Sequence, residues 1–352
     1  MRQRTEASRL RGPEFHRAAG MVAAMVLLAV AAWVLLRWRT PRVIPPPPRR
    51  PAPAVLVAMT ANINNIEPNA GAHSWSRRRG VLLAILRHYR PDILALQAAT
   101  PAQTGWLAVR LTGYAHWPAG EGLSGNLFSA LDQALASWNQ IFYTRRFARL
   151  AGAYGLVRPH HLAANPTENA YYSLAVLRDK RGRVPLIIVL DTHLRHGNRQ
   201  AAASAAKLRI ILQRWQRRYP QALAIVLGDM NHPWTDRPVY DALRGGRHSR
   251  AALVDAFDYA AKPPARRWGT WQNYTGRPVA DWPTDLIFLS RGWKFTPARI
   301  IRAHGPVAEE GDSTRRDSLY PSDHFFVLTT LRANRPPPAA IGSRNQIGET
   351  GR

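Results

Sequence analysis

Five short polar clusters, each beside an apolar run, carry the residues able to do chemistry. Thr60-Ala61-Asn62-Ile63-Asn64 follows Val55–Met59, Asp191-Thr192-His193-Leu194 follows Leu186–Leu190, and Gly228-Asp229-Met230-Asn231 follows Leu223–Leu227. Asp285 precedes Leu286–Leu289, and Ser322-Asp323-His324 precedes Phe325–Leu328. Asp229, Asn231 and Asn62 offer hard oxygen ligands and amide donors that suit Mg2+ or Mn2+ and a phosphate. His324 can take a proton from water, Asp285 can orient its ring, and His193 can donate to a phosphate oxygen as charge builds there. The set contains no nucleophilic Ser or Cys arrangement, so direct attack of water on a phosphoester is the economical mechanism. Singly, Asp-x-Asn is also a common turn and Thr-His a common structural pair. Their shared position at the ends of apolar runs is what gives them weight.

The elements that must position these groups are short. Besides the runs already named, Ile93–Leu96, Ile141–Tyr143 and Leu174–Leu177 are strand-length, rich in large or β-branched residues and bounded by polar, Gly or Pro residues. Residues 78–89 and 198–219 carry apolar side chains at helical spacing instead: Val81, Leu82, Ile85, Leu86 and Tyr89 in the first, Leu208, Ile211, Leu212 and Trp215 in the second. Many strands with a few long helices between them predict sheets covered by helices, with the polar clusters gathered at one rim.

The rest of the chain divides by composition. Residues 1–17 are a basic N-terminal segment. Residues 18–36 contain no charged side chain, long enough for a single transmembrane anchor. Residues 37–53 form a Pro/Arg-rich linker with the run Pro45-Pro46-Pro47-Pro48, which predicts a stiff spacer. The folded domain spans 54–332. Residues 333–352 have no apolar period and are expected to be a disordered tail. Ala29-Val30-Ala31 resembles a signal-peptide cleavage site, but the apolar run continues past it to Leu36, which favours an uncleaved anchor. Five arginines precede that run and five follow it before the domain, so charge does not orient it. Because long domains cross regardless of charge, the expectation is a cell-membrane protein with its domain on the exported side.

Charge and cysteine content bound the function. Forty-nine Lys and Arg against 22 Asp and Glu, a formal +27, should draw polyanions such as nucleic acid or an anionic membrane surface. Nearly all the basic residues are arginine, a skew that genomic base composition can also produce. The absence of cysteine excludes disulfides, thiolate zinc sites and a cysteine nucleophile. Oligomeric state is not legible.

Taken in order, Thr60-Ala61-Asn62-Ile63, Asp191-Thr192-His193-Leu194, Leu227-Gly228-Asp229-Met230-Asn231, Thr284-Asp285-Leu286-Ile287-Phe288 and Ser322-Asp323-His324 resemble the signature blocks of the endonuclease/exonuclease/phosphatase superfamily, the DNase I-like phosphoesterases. The resemblance implies a four-layer α/β/β/α sandwich and divalent-metal (Mg2+ or Mn2+) hydrolysis of phosphodiesters or phosphomonoesters. Carried over by block, it implies that Asn62 and Asp323 contact the metal and His193 binds the phosphate. It further implies that Asp229 positions water or binds metal, that Asn231 holds the scissile phosphate, and that His324, held by Asp285, is the base or acid. Nucleic acid and a phospholipid headgroup are both open as substrate. One block departs: Asp92-Ile93-Leu94-Ala95-Leu96-Gln97 leads into Ala98 where the family normally places its metal-binding Glu. A methyl group cannot coordinate a hard cation. Three outcomes are open: fewer ligands, a substitute carboxylate such as Glu67 or Glu121, or a domain that binds phosphate, nucleic acid or headgroup without turning it over.

Overall fold

The computed structural model describes residues 55–65, 71–118, 139–157, 170–195, 198–245, 252–257, 268–306 and 318–334. The expected anchor (18–36), linker (37–53), tail (333–352, but for its first two residues), Glu67 and Glu121 lie outside these. Among the described residues no helix is long and apolar enough to cross a membrane.

The fold is α/β with two mixed sheets. The first contains β1 (Val55–Asn62), β2 (Ile93–Gln97), β3 (Tyr114–Trp117), β4 (Gln140–Thr144), β11 (Trp293–Phe295), β12 (Arg299–Ile301) and β15 (Phe326–Ala333), in the order β11-β15-β1-β2-β4-β3 with β12 also on β15. The second contains β5 (Phe147–Val157), β6 (Ala170–Asp179), β7 (Ile187–His193), β8 (Leu223–Asp229), β9 (Leu253–Asp255) and β10 (Asp285–Ser290), in the order β5-β6-β7-β8-β10-β9. A two-residue pair, β13 (Gly305–Pro306) with β14 (Ser318–Leu319), stands apart. β1 with β2, and β7 with β8, are parallel; the other pairs are antiparallel. The four α-helices among the described residues are α1 (Trp75–Tyr89), α2 (Pro101–Arg110), α3 (Asn198–Arg218) and α4 (Arg237–Arg244).

The central strands read as unbroken apolar runs because both of their faces are covered. In β1, Leu56 and Ala58 join the large core that also holds β7, β8 and β10. The alternate residues Val57, Met59 and Ala61 join a second core with Leu82, Ile85 and Leu86 of α1 and Leu107 of α2. β2 divides the same way, Ile93 and Ala95 toward one core and Leu94 and Leu96 toward the other, as the two-residue period of a strand requires. Six of the eight runs expected to be strands fall wholly within strands, while Leu186–Leu190 and Phe325–Leu328 each begin one residue before theirs; both expected helices form, α1 starting three residues earlier than its apolar spacing suggests.

Parallel pairing is what makes the site possible. β1 and β2 end side by side at Asn62 and Gln97, while β7 and β8 end side by side at His193 and Asp229. β10 starts opposite Asp229, at Asp285. The polar clusters therefore meet at one end of both sheets. Gly228 permits this closeness, since a Cβ there would stand 2.0 Å from the Thr192 carbonyl oxygen.

Candidate active site

Asp229 is the hub. It is 1 % exposed, and its Oδ2 accepts from Asn62 Nδ2 at 2.9 Å and lies 3.4 Å from His193 Nε2 and 3.8 Å from His324 Nε2. Its Oδ1 accepts from the Asn231 backbone N–H at 2.9 Å. His324 presents its other ring nitrogen, Nδ1, to Asp285 Oδ2 at 2.9 Å. The imidazole is thus held between two carboxylates, one on each nitrogen. A carboxylate behind a ring nitrogen fixes both the tautomer and the ring plane, which leaves Nε2 for chemistry.

The electrostatics follow from burial and these short distances. Burial works to lower the pKa of His324, but the negative charges of Asp285 and Asp229 outweigh it and push it up to about 10. Burial raises Asp285 to about 6 despite the opposing charge of His324, and the neighbouring Asp229 adds to that rise. Burial also works against the charged form of Asp229, yet His324 and His193, with the Asn231 amide and Asn62, hold it below the usual carboxylate range. Near neutral pH the free site therefore carries an imidazolium between two carboxylates.

The donor set suits a divalent cation. Ligand atoms of Asp229, Asp285 and His324 lie within 4.8 Å of one another, and Asp285 Oδ1 is buried with no hydrogen-bond partner among the described residues. The carboxylates are hard anionic donors of the kind Mg2+ or Mn2+ takes, whereas the imidazole between them is committed to its hydrogen bond with Asp285. Asn62 and Asp323 stand beside this group, Asn62 through its 2.9 Å donation to Asp229 and Asp323 as the residue next to His324. Asn62 Oδ1 accepts from the Asn64 N–H at 3.0 Å, and Asp323 is half-buried with Oδ1 accepting from Ser322 Oγ at 3.0 Å. Asn231 is brought to the site by its backbone, but its side-chain amide donates to the Leu194 carbonyl at 2.6 Å.

Three supporting residues were not assigned roles from sequence. Arg78 on α1 is fully buried and donates to the carbonyls of Ile63, Asn64 (2.6 Å), His73 (3.1 Å) and Pro321 (3.0 Å). It ties the segment after Asn62 to the segment before Asp323. In the sequence it is the middle of Arg77-Arg78-Arg79, and only its helical phase, one turn before Leu82, marks it as the inward one. Gln97 links the two sheets, accepting from Thr60 Oγ1 at 3.1 Å and donating to Asp191 Oδ1 at 2.7 Å. Asp191 is wholly buried, and that burial raises its pKa well above the ordinary carboxylate value. Asp191 stands two residues before His193 on β7, and Gln97 stands immediately before Ala98.

The sequence model of the Endonuclease/Exonuclease/phosphatase family matches residues 59–324. The chain belongs to that family. Among solved structures the chain is similar to an endonuclease/exonuclease/phosphatase family protein from Bacteroides thetaiotaomicron, with a TM-score of 0.65 at 20 % identity over 80 % of this chain and 98 % of that one. A mannosyl-6-phosphatase from the same species aligns at 0.64 and 20 % identity, over 78 % of this chain and 99 % of that one. The Danio rerio TDP2 complex with a single-strand DNA product aligns at 0.55 and 19 % identity, over 80 % of this chain and all of the other. No curated protein matches the chain in sequence. The family match begins inside β1 and ends at His324, so it spans every cluster of the site.

Proposed function

We propose that the chain is a membrane-anchored, divalent-metal-dependent phosphoesterase that hydrolyses its substrate by direct attack of water. The observation that carries the reading is the buried relay Asp285–His324–Asp229, with His193 and Asn62 on the same carboxylate. On this reading the two sheets and their helices form the four-layer α/β/β/α sandwich of DNase I-like enzymes. His324, in its neutral form, accepts a proton from water at Nε2 as the water oxygen bonds to phosphorus. Asp285 keeps the ring aimed and stabilises the imidazolium that results. Asp229 fixes His193 and Asn62 and orients the water. His193 Nε2 and the Asn231 amide, once turned from Asp229 and Leu194, donate to the phosphate oxygens, where negative charge grows before the alkoxide departs. Asn62, Asp323 and Asp229 would hold Mg2+ or Mn2+, which when bound supplies positive charge to the phosphate.

The substrate class stays within phosphate esters. The aligned structures include a sugar phosphatase by name and a complex with a DNA product, so a monoester and a diester belong in the same test. The full chain assayed with p-nitrophenyl phosphate and bis(p-nitrophenyl) phosphate should turn over at least one of them with Mg2+ or Mn2+, and chelation should abolish it. No turnover with either metal would favour a second reading, in which Ala98 occupies the position of the family's metal-binding glutamate and the cleft binds phosphate without cleaving it.

The pH profile follows from the raised pKa of His324. A base must be neutral, and below about 10 most of His324 is protonated in the free protein. kcat/KM should therefore climb with pH, approaching tenfold per unit from about pH 7 to about pH 9. A flat or falling profile across that range would assign His324 the acid's part instead.

Residues 18–36 are read as the anchor, with the domain on the exported side, and residues 37–53 as its spacer. A chain lacking residues 1–50 should remain soluble, melt in one cooperative transition and no longer float with neutral phosphatidylcholine vesicles, whereas the full chain should float. An insoluble or non-cooperative truncated protein would show that those residues belong to the fold.

A further inference from the structure

Charge is not spread evenly over the described residues. Asp229, Asp285 and Asp323 lie in the cleft with Asp236 and Asp281 near it, alongside the exposed Arg77, Arg195 and Arg277, so charge at the site end is mixed; Asp241 and Asp255 lie on α4 and β9, and no glutamate lies among the described residues. The opposite end of both sheets is basic. Arg90 follows α1, Arg110 ends α2, Arg178 stands one residue before the end of β6, Arg181 turns into β7, Arg217 is in the last turn of α3 and Arg291 turns from β10 into β11; all six are exposed. The acids among the described residues at this end are Asp92 and Asp179. Both are taken by Arg146, at 3.2 and 3.5 Å, with side chains only 15 % and 1 % exposed.

Helix dipoles account for part of this pattern, since cations are favoured in the last turn of a helix. They explain Arg110 and Arg217. They do not explain Arg178, Arg181 and Arg291, which sit on a strand end and on strand-to-strand turns. Val109, 73 % exposed, lies beside Arg110 on the same end and gives it an apolar point among the charges. The chain also enters the domain here. Val55, the first residue of β1, pairs with Arg332 at this end, so residues 1–54 and their uncharged stretch are joined to it covalently.

We infer that this end is a docking face for an anionic bilayer surface, so that the domain rests on phospholipid headgroups with its active-site end turned away from the membrane. Basic groups clustered within a Debye length of such a surface are attracted to it in proportion to their number, and one exposed apolar residue among them can reach the headgroup boundary. Because the tether and the basic end coincide, the face is presented to the lipid at high effective concentration. A substrate would then be met from the solvent side.

The test uses the full chain, whose lack of cysteine allows single labels. Thr112→Cys lies on the basic end between α2 and β3, and Val279→Cys lies near the site, its backbone N–H donating to Trp271, which bridges to His324. Each variant, carrying a fluorophore, is reconstituted in phosphatidylcholine vesicles with or without about 30 % phosphatidylglycerol and a headgroup-depth quencher. Quenching at position 112 and not at 279, present with the anionic lipid and lost without it, is the expected result. Raising salt to about 1 M should abolish it. Reversing Arg178, Arg181, Arg217 and Arg291 to Glu should lower the docked-to-undocked ratio more than about tenfold. Equal quenching at the two positions, or quenching indifferent to anionic lipid, overturns the proposal. So does protection of position 112 by duplex DNA when anionic vesicles give none, which would make the face a nucleic-acid surface. Flotation with pure phosphatidylcholine reports the anchor alone, so failure of the anchor and failure of the docking face are read separately.

Discussion

Replacing His324 by alanine is expected to lower hydrolysis of a generic phosphate ester on the order of 10²–10⁴-fold, the usual loss when a general base is removed. Asp229→Asn should cost a comparable amount for a different reason. Asp229 Oδ2 faces Asn62, His193 and His324 at 2.9, 3.4 and 3.8 Å, so a neutral amide there loses the charge that keeps both histidines in place. The two substitutions differ in their effect on pH dependence. Without His324 the climb of kcat/KM between about pH 7 and pH 9 should vanish, because the titrating base is gone. In Asp229→Asn the climb should persist but flatten at a lower pH, since one of the three negative charges that raise the His324 pKa has been removed. Thermal melting of both proteins guards against trivial loss of fold. A cooperative melt with activity within a few-fold of the unsubstituted chain in either variant would remove these residues from the mechanism.

Much of this arrangement was legible in the sequence because central strands write it plainly. β1, β2, β7, β8 and β10 are buried on both faces, so each appears as an uninterrupted apolar run, and each polar cluster marks the end of one. What was not legible lies at edges and on short elements. β5 holds eleven residues but reads FARLAGAYGLV, in which Gly152 and Gly155 look like turn residues. Its composition has a packing cause: a Cβ on Gly152 would stand 2.6 Å from the Trp117 ring, so the edge strand is thinned to let Trp117 in. α2 had a usable signal that apolar spacing did not reveal. Thr100 and Gln103 form a capping box with Pro101 in the first turn, and the Gln103 N–H donates to Thr100 Oγ1 at 3.2 Å. α4 is only eight residues long, too short for a helical period to stand out.

Within the site, the sequence separated groups by chemistry and left their direction unread. Asp323 and His324 are adjacent in a strand approach, so their side chains diverge. His324 turns into the Asp229–Asp285 pocket, while Asp323 takes the Ser322 hydroxyl and stays half-exposed. Asn231 has a positive φ of 52°, and that turn carries its amide to the Leu194 carbonyl. Asn tolerates this conformation better than most residues, which gives the Asp-x-Asn spacing a backbone reason as well as a chemical one. Arg78 shows the opposite limit. A run of three arginines reads as a solvated face, yet its middle member is fully buried and joins the two loops that flank the cleft.

Ala98→Glu is expected to tighten Mg2+ binding by on the order of tenfold or more, because divalent affinity rises with the number of charged oxygen ligands. Ala98 follows directly on Gln97, whose register partner on β1 is Asn62, so on the proposed reading a carboxylate at position 98 stands near the expected metal ligand. Ala98 has φ 50°, a left-handed conformation that costs an L-residue about 1–2 kcal/mol, and such strain persists where the surroundings impose it. Alanine and glutamate bear that cost alike, so the substitution adds no backbone penalty. The side chain does add one, since position 98 is 5 % exposed and an unpaired carboxylate there is destabilising. The two effects separate on titration. Without metal the variant should melt lower than the parent chain, and Mg2+ should raise its melting temperature by more than it raises the parent's, as binding to the native state alone requires. Hydrolysis, if the parent shows any, should rise with metal affinity. A lowered melting temperature that Mg2+ does not restore would mean that the cleft has closed around Ala98, and the chain would then be read as a phosphate-binding member of its family.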